Sequence, residues 1–228
     1  LLAMDYSQIE LRLMAHYSKD PIMLDSFRND EDIHKRTAAE IFGVEIADVD
    51  DQMRRRAKTI NFGLLYGMSA FGLSNQLEVS RAEADIFLNN YFERYAAVKS
   101  FMSKIVEEAK KDKLVKTLYN RKIHVPNIEA GNYMMRQGSE RAAINGPLQG
   151  SAADIIKIAM IKIQDLINND KSDIKMILQV HDELIFEVPA DFRDEDIKPI
   201  ISIMEETTKI SVPLKVEYGF GANWREAH

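Results

Sequence analysis

Hydrophobic and polar positions recur with a helical period through most of the chain and with a shorter, strand-like alternation at its two ends. Residues 1–6 read as a short buried strand and 8–17 as an amphipathic helix. Asp32 is placed to cap a helix through Phe42, and Asp50 to cap another over 52–66, closed by Gly67. Ser80 followed by Glu83 is a capping box opening the next helix. The pattern predicts further helix over 96–111 and a hairpin over 114–126, with its turn at 119–122. A long helical stretch over 135–168 is expected to kink or divide at Pro147, which removes a backbone hydrogen bond. Two alternating runs, 176–180 and 184–188, flank His181-Asp182-Glu183 as strand, turn and strand. A helix over 194–209 and a closing strand over 214–218 complete the pattern. The class is α+β: a small antiparallel sheet backed by helices, with a helical lobe inserted after its first strand.

Composition changes this picture little. Apolar residues make up 46% and charged residues 29%, the balance of an ordinary globular chain. No run approaches the ~20 apolar residues that a membrane helix needs, so no membrane partner is expected. The chain has no cysteine, which excludes disulfides and thiolate metal sites. Its net charge of −6 argues against a general nucleic-acid coat, but leaves room for a local basic cleft.

Three segments carry candidate chemistry. Asp5 and Asp182 stand at the ends of strands that could be neighbours, and paired carboxylates suit Mg²⁺, which keeps waters and takes substrate phosphates as further ligands. Either aspartate alone would read as a turn or cap residue. Arg54, Lys58, Phe62 and Tyr66 recur every four residues, giving one helix face two cations and two aromatics. Such a face can neutralise a triphosphate and stack on a base, although a core stripe with cations reaching for solvent has the same period. Arg141, Asn145 and Gln149 repeat the step. As donors they could test minor-groove acceptors without reading sequence, or simply line a wet helix face.

Together these segments resemble the motifs of the DNA polymerase I family, family A. DYSQIELR, RRRAKTINFGLLYG and QVHDELIFEVP match its motifs A, B and C in order, and EDIHKRTAAEIFG, ERAAINGPLQGSAADIIK and the closing NWREAH resemble it too. The resemblance implies DNA synthesis from dNTPs on a primer–template, with two Mg²⁺ ions held by Asp5, Asp182 and the Tyr6 carbonyl. It implies that Gln8, Glu10, His34, Arg54, Lys58, Phe62 and Tyr66 surround the incoming nucleotide. Among these Glu10 acts as the gate against a ribose 2′-OH, Lys58 as general acid, and Phe62 as the residue that leaves dideoxynucleotides disfavoured. Arg141, Asn145, Gln149 and His181 are then DNA contacts, and Glu183 a neighbour of the metal pair without an obligatory role. A palm over 1–30 and 131–228 would flank fingers over 31–130, in a cytoplasmic enzyme of the bacterial nucleoid. Family members carry a thumb and more palm before motif A, so the resemblance also implies truncation on that side and allows a catalytically silent fragment. The hairpin sequence YNRKIH departs from the family's glycine- and arginine-rich one, which leaves its DNA contacts open. A single-subunit RNA polymerase is the competing enzyme, and Glu10 argues against it.

Overall fold

Residues 1–170 and 173–228 are described by the computed structural model. Strand β1 (Leu2–Tyr6) lies inside the sheet, and its side chains alternate between faces. Leu2, Met4 and Tyr6 are buried in the main core, while Asp5 points to the opposite face. The Tyr6 hydroxyl donates to the Met204 carbonyl at 2.8 Å, which ties the strand to a helix about 200 residues away in sequence.

After β1 the chain is largely helical. Helices α1 (Ile9–Ser18), α2 (Pro21–Arg28), α3 (Ile33–Phe42), α4 (Asp51–Leu65), α5 (Ala70–Leu77), α6 (Arg81–Arg94) and α7 (Ala96–Asp112) follow in order. The expected caps are present: Asp32 accepts from the amides of His34 and Lys35, Asp50 from Met53, and Ser80 and Glu83 form the capping box. Periodicity does not reveal α2 and α5. Their signals are local: Asp20 caps α2 with Pro21 at its first position, and Ser69 caps α5. Strands β2 (Leu114–Lys116) and β3 (Lys122–His124) make the expected hairpin, with the connection at 117–121.

Helix α8 (Tyr133–Asp170) runs through Pro147 without a break, contrary to the expected division. Pro147 and Leu148 are buried, and the segment is clasped by the hairpin connection. The Leu118 amide donates to Ser151 Oγ at 3.0 Å, and Arg121 donates to the Gly150 carbonyl at 2.7 Å and pairs with Asp154. Packing on both sides outweighs the lost hydrogen bond.

The chain then returns to the sheet through β4 (Lys175–Val180) and β5 (Glu183–Glu187). Helix α9 (Asp194–Glu206) stops earlier than expected, β6 (Val216–Phe220) begins two residues later, and a short α10 (Trp224–Ala227) follows. The finished sheet is antiparallel, in the order β4-β5-β1-β6. Register sets Asp5 opposite Glu183 on one side and opposite Glu217 on the other.

Candidate active site

Two of the expected site residues sit in backbone conformations that ordinary side chains avoid. Gln8, the N-cap of α1, has φ 54°, and His181, first of the two residues joining β4 to β5, also has φ 54°. Left-handed non-glycine residues cost about 1–3 kcal/mol and concentrate at functional sites. Here both lie beside the paired aspartates. The Tyr6 amide donates to the Asp182 carbonyl at 3.2 Å, so the β1 end and the β4–β5 loop are stitched together.

These elements and the facing helices enclose a cleft of about 490 Å³. Its walls bring together Asp5, Tyr6, Gln8, Glu10, His34, Arg54, Lys58, Phe62, Tyr66, His181 and Asp182 from separate elements. Three oxygens there are buried without a hydrogen-bond partner: Asp5 Oδ1, Gln8 Oε1 and Glu10 Oε2. Stranded acceptors of this kind call for a cation or a donor.

Electrostatics divide the cleft into two halves. On the sheet side, burial and then the charges of Asp182, Glu183 and Glu217 push the Asp5 carboxyl up to about 6. Burial also raises Asp182, helped by Glu183 and opposed by its own backbone amide. Burial raises Glu10, with the neighbouring Tyr66 hydroxyl pulling it back, and burial plus Glu10 push Tyr66 up to about 12. On the helix side Arg54 Nε binds Asp32 Oδ2 at 2.6 Å. Burial works against the Asp32 charge, yet the Arg54 bond and the two capping amides hold its carboxyl below the usual range. Asp32 thus both starts α3 and aims Arg54. Burial, with Arg54 and Lys58 nearby, holds the His34 imidazole down to about 4, so it is neutral at pH 7.

The carboxylate half fits Mg²⁺. Hard oxygen donors are present, one of them stranded, and burial together with like charges raises both carboxyls, which a bound cation would offset. Among the described residues no group of three or more His, Cys, Asp or Glu side chains forms a closed cage.

Of the DNA-contact candidates His181 lines the cleft, while Arg141, Asn145 and Gln149 lie apart from its walls. Arg141 and Gln149 are exposed on α8, and Asn145 is half-buried with an unpartnered Oδ1. Arg141 is nonetheless coupled to the cleft helix, because Gly67 ends α4 at φ +67° and a Cβ there would come within 2.8 Å of Arg141 Cγ. A Gly67→Ala variant should therefore lose roughly 1–2 kcal/mol in urea unfolding. Gly43→Ala, at the same φ with open space around it, should lose less, and the difference reports the Arg141 contact.

Glu183, expected in the turn, instead begins β5, buried and opposite Asp5 in the sheet, where its charge helps raise the Asp5 carboxyl. Its carboxylate accepts from Trp224 Nε1 at 3.1 Å and lies 3.2 Å from His228 Nδ1. Spacing gives no sign of Ser7 and Glu217, which line the cleft and share a 2.8 Å hydrogen bond. Their nearness follows from the β1–β6 register, which no local pattern reveals.

Comparison with known proteins identifies the family. The family model described as DNA polymerase family A matches residues 1–226. The chain belongs to DNA polymerase family A. It is 49% identical over 228 residues to DNA polymerase I of Pseudomonas aeruginosa, covering all of this chain and 25% of that protein. It is 44% identical over 227 residues to DNA polymerase I of Bacillus caldotenax, covering all of this chain and 26% of the relative. The chain thus spans about a quarter of the length of these relatives. Its fold superposes with a TM-score of 0.95 on the POL domain of Pol1 from M. smegmatis, solved in complex with DNA primer-template and dNTP. That match has 40% identity and covers 99% of this chain and 40% of the other. Among the described residues, no helix is long and apolar enough to cross a membrane.

Proposed function

We propose that this chain carries the nucleotidyl-transfer site of a template-directed DNA polymerase, with palm over 1–30 and 131–228 and fingers over 31–130. The observation that supports this reading is the cleft itself, which places the Asp5–Asp182 pair across from Arg54, Lys58, His34, Phe62 and Tyr66. The substrates are a dNTP and the 3′ end of a primer on its template. The primer 3′-oxygen attacks the α-phosphorus, the bond to the β-phosphate oxygen breaks, and pyrophosphate leaves.

Asp5, Asp182 and the Tyr6 carbonyl would hold two Mg²⁺ ions. When bound, these supply charge stabilisation to the attacking and leaving oxygens. Arg54, oriented by Asp32, grips the triphosphate with a directed guanidinium. Lys58, one turn further, donates a proton to the departing pyrophosphate. Phe62 packs on the sugar and base, and Tyr66 stands beside the templating base. Glu10, backed by Tyr66, fills the space a 2′-hydroxyl would need, and Gln8 sits at the turn that sets its position. Arg141, Asn145 and Gln149 face the minor groove, and His181 meets the primer end.

Primer extension with Mg²⁺ and dNTPs, run on this chain and on its Asp182→Ala variant, tests the reading. Extension by the parent alone supports it, and equal extension by both removes the metal role. Extension by neither favours a silent module. Parallel reactions with ribonucleotides test the gate: Glu10→Ala should narrow the preference for dNTP over rNTP by about tenfold to a hundredfold. A parent that prefers ribonucleotides would instead be an RNA polymerase.

A further inference from the structure

Behind the cleft wall lies a polar network that the proposed mechanism does not use. His34, Asn61, Thr37 and Tyr95 are each at most 2% exposed, and they come from α3, α4 and the junction of α6 with α7. Asn61 Nδ2 lies 3.0 Å from His34 Nδ1. Thr37 Oγ1 lies 3.2 Å from Asn61 Oδ1 and 3.1 Å from Asn61 Nδ2, and the Tyr95 hydroxyl is 3.1 Å from Thr37 Oγ1. The Phe62 ring packs beside the His34 imidazole with centroids 5.7 Å apart, and Asp32 caps the His34 amide at 2.9 Å. The ring therefore has little freedom to turn.

The direction of these bonds has a chemical consequence. With the Asn61 amide NH₂ facing it, His34 Nδ1 is the acceptor, which leaves the ring proton on Nε2. Nε2 has no partner among the described residues, and His34 lines the cleft beside Arg54 and Lys58. Burying several polar groups in one hydrogen-bonded chain restricts its arrangement, as the low local dielectric penalises leaving a group unpaired.

We propose that Asn61, Thr37 and Tyr95 form a buried relay that fixes the Nε2–H tautomer of His34, presenting a neutral donor to a non-bridging oxygen of a bound triphosphate. The inference rests on reading the cleft as a dNTP site. Its consequence is a division of labour: Arg54 and Lys58 supply charge, while His34 supplies a directed hydrogen bond. Burial of the ring, with two cations beside it, keeps it uncharged at neutral pH, so the donor does not depend on protonation. Asn61, Thr37 and Tyr95 are positioning residues and touch no substrate atom.

The test combines a spectrum with kinetics. Long-range ¹H–¹⁵N correlation on chain labelled at histidine nitrogen should show His34 in the Nε2–H form at pH 7, in the parent and in Thr37→Ser. Titration with inorganic tripolyphosphate should then shift the Nε2–H resonance. Asn61→Leu, which removes the amide donor, should mix the tautomers and raise KM for dNTP about tenfold, with kcat changed by less than about twofold. Thr37→Val keeps the shape without the hydroxyl and is read the same way if Asn61→Leu does not fold. An Nδ1–H form in the parent would overturn the relay while leaving the dNTP site intact. So would an unchanged KM in a folded Asn61→Leu or Thr37→Val variant. A parent in the Nε2–H form that binds neither dNTP nor tripolyphosphate would overturn the polymerase reading and, with it, the ligand assigned to this donor.

Discussion

An Asp182→Ala substitution should abolish primer extension and leave the fold at least as stable as before. The two effects part because Asp182 gains little from the folded protein. It stands in the two-residue β4–β5 loop, half-buried, with its carboxyl raised by burial and by Glu183 and eased chiefly by its own amide. Removing it deletes an ill-compensated charge. On the proposed reading, catalysis loses one of the two carboxylates that would hold the metal ions, whose charge stabilisation is worth several kcal/mol. At 1.36 kcal/mol per decade, a rate loss on the order of a thousandfold or more is expected. Asp5→Asn gives the pH-dependent companion. The folded Asp5 carboxyl titrates near 6 against an ordinary 3.8, so its stabilising contribution is complete below about 4 and lost as pH rises through about 6. Denaturant melts of parent and Asp5→Asn without divalent metal should diverge across that window in favour of the variant. The gain above pH 6 is on the order of 1 kcal/mol, once discounted for the solvent reaching the exposed part of the group. A variant less stable than the parent at pH 8 would show that Asp5 is structural rather than a ligand kept at the expense of stability.

Lys58→Ala should lower kcat by about a hundredfold to ten-thousandfold, the usual worth of a positioned proton donor. Lys58 is exposed on α4 and makes no ion pair among the described residues, in contrast to Arg54, which Asp32 holds. Its removal should therefore leave unfolding within about 0.5 kcal/mol of the parent, as for other surface changes. Single-turnover rates separate chemistry from binding. A general acid is lost from kcat, whereas a group that only attracts phosphate is lost from KM. Lys58→Arg keeps the charge but holds its proton far more tightly, so it should restore KM more than kcat. A variant with KM raised and single-turnover chemistry intact would reduce Lys58 to a binding group.

Much of this site is legible in the sequence, because its residues lie on regular spacings within single elements. Arg54, Lys58, Phe62 and Tyr66 need only the helical period to share a face, and Asp32 and Asp50 need only their place ahead of a helix. Helices α2 and α5 escape because a short helix offers too few turns for a period to register, although Asp20-Pro21 and Ser69 mark their starts. Pro147 does not divide α8, because the local cost of proline says nothing of the hairpin that packs over it.

The sequence by itself determined the element types, the helix caps and the order in which the chemical groups occur. Those properties depend on neighbours within a few residues, where backbone sterics and hydrogen bonding act directly. Tertiary structure alone decided that Asp5 lies between Glu183 and Glu217 in the sheet, that Glu183 accepts from Trp224 beside His228, and that Asn61 Nδ2 meets His34 Nδ1. Each of these joins groups on different elements, up to about 200 residues apart. Strand register and helix packing settle them, through burial shared across the whole core, and no window of the chain contains both partners.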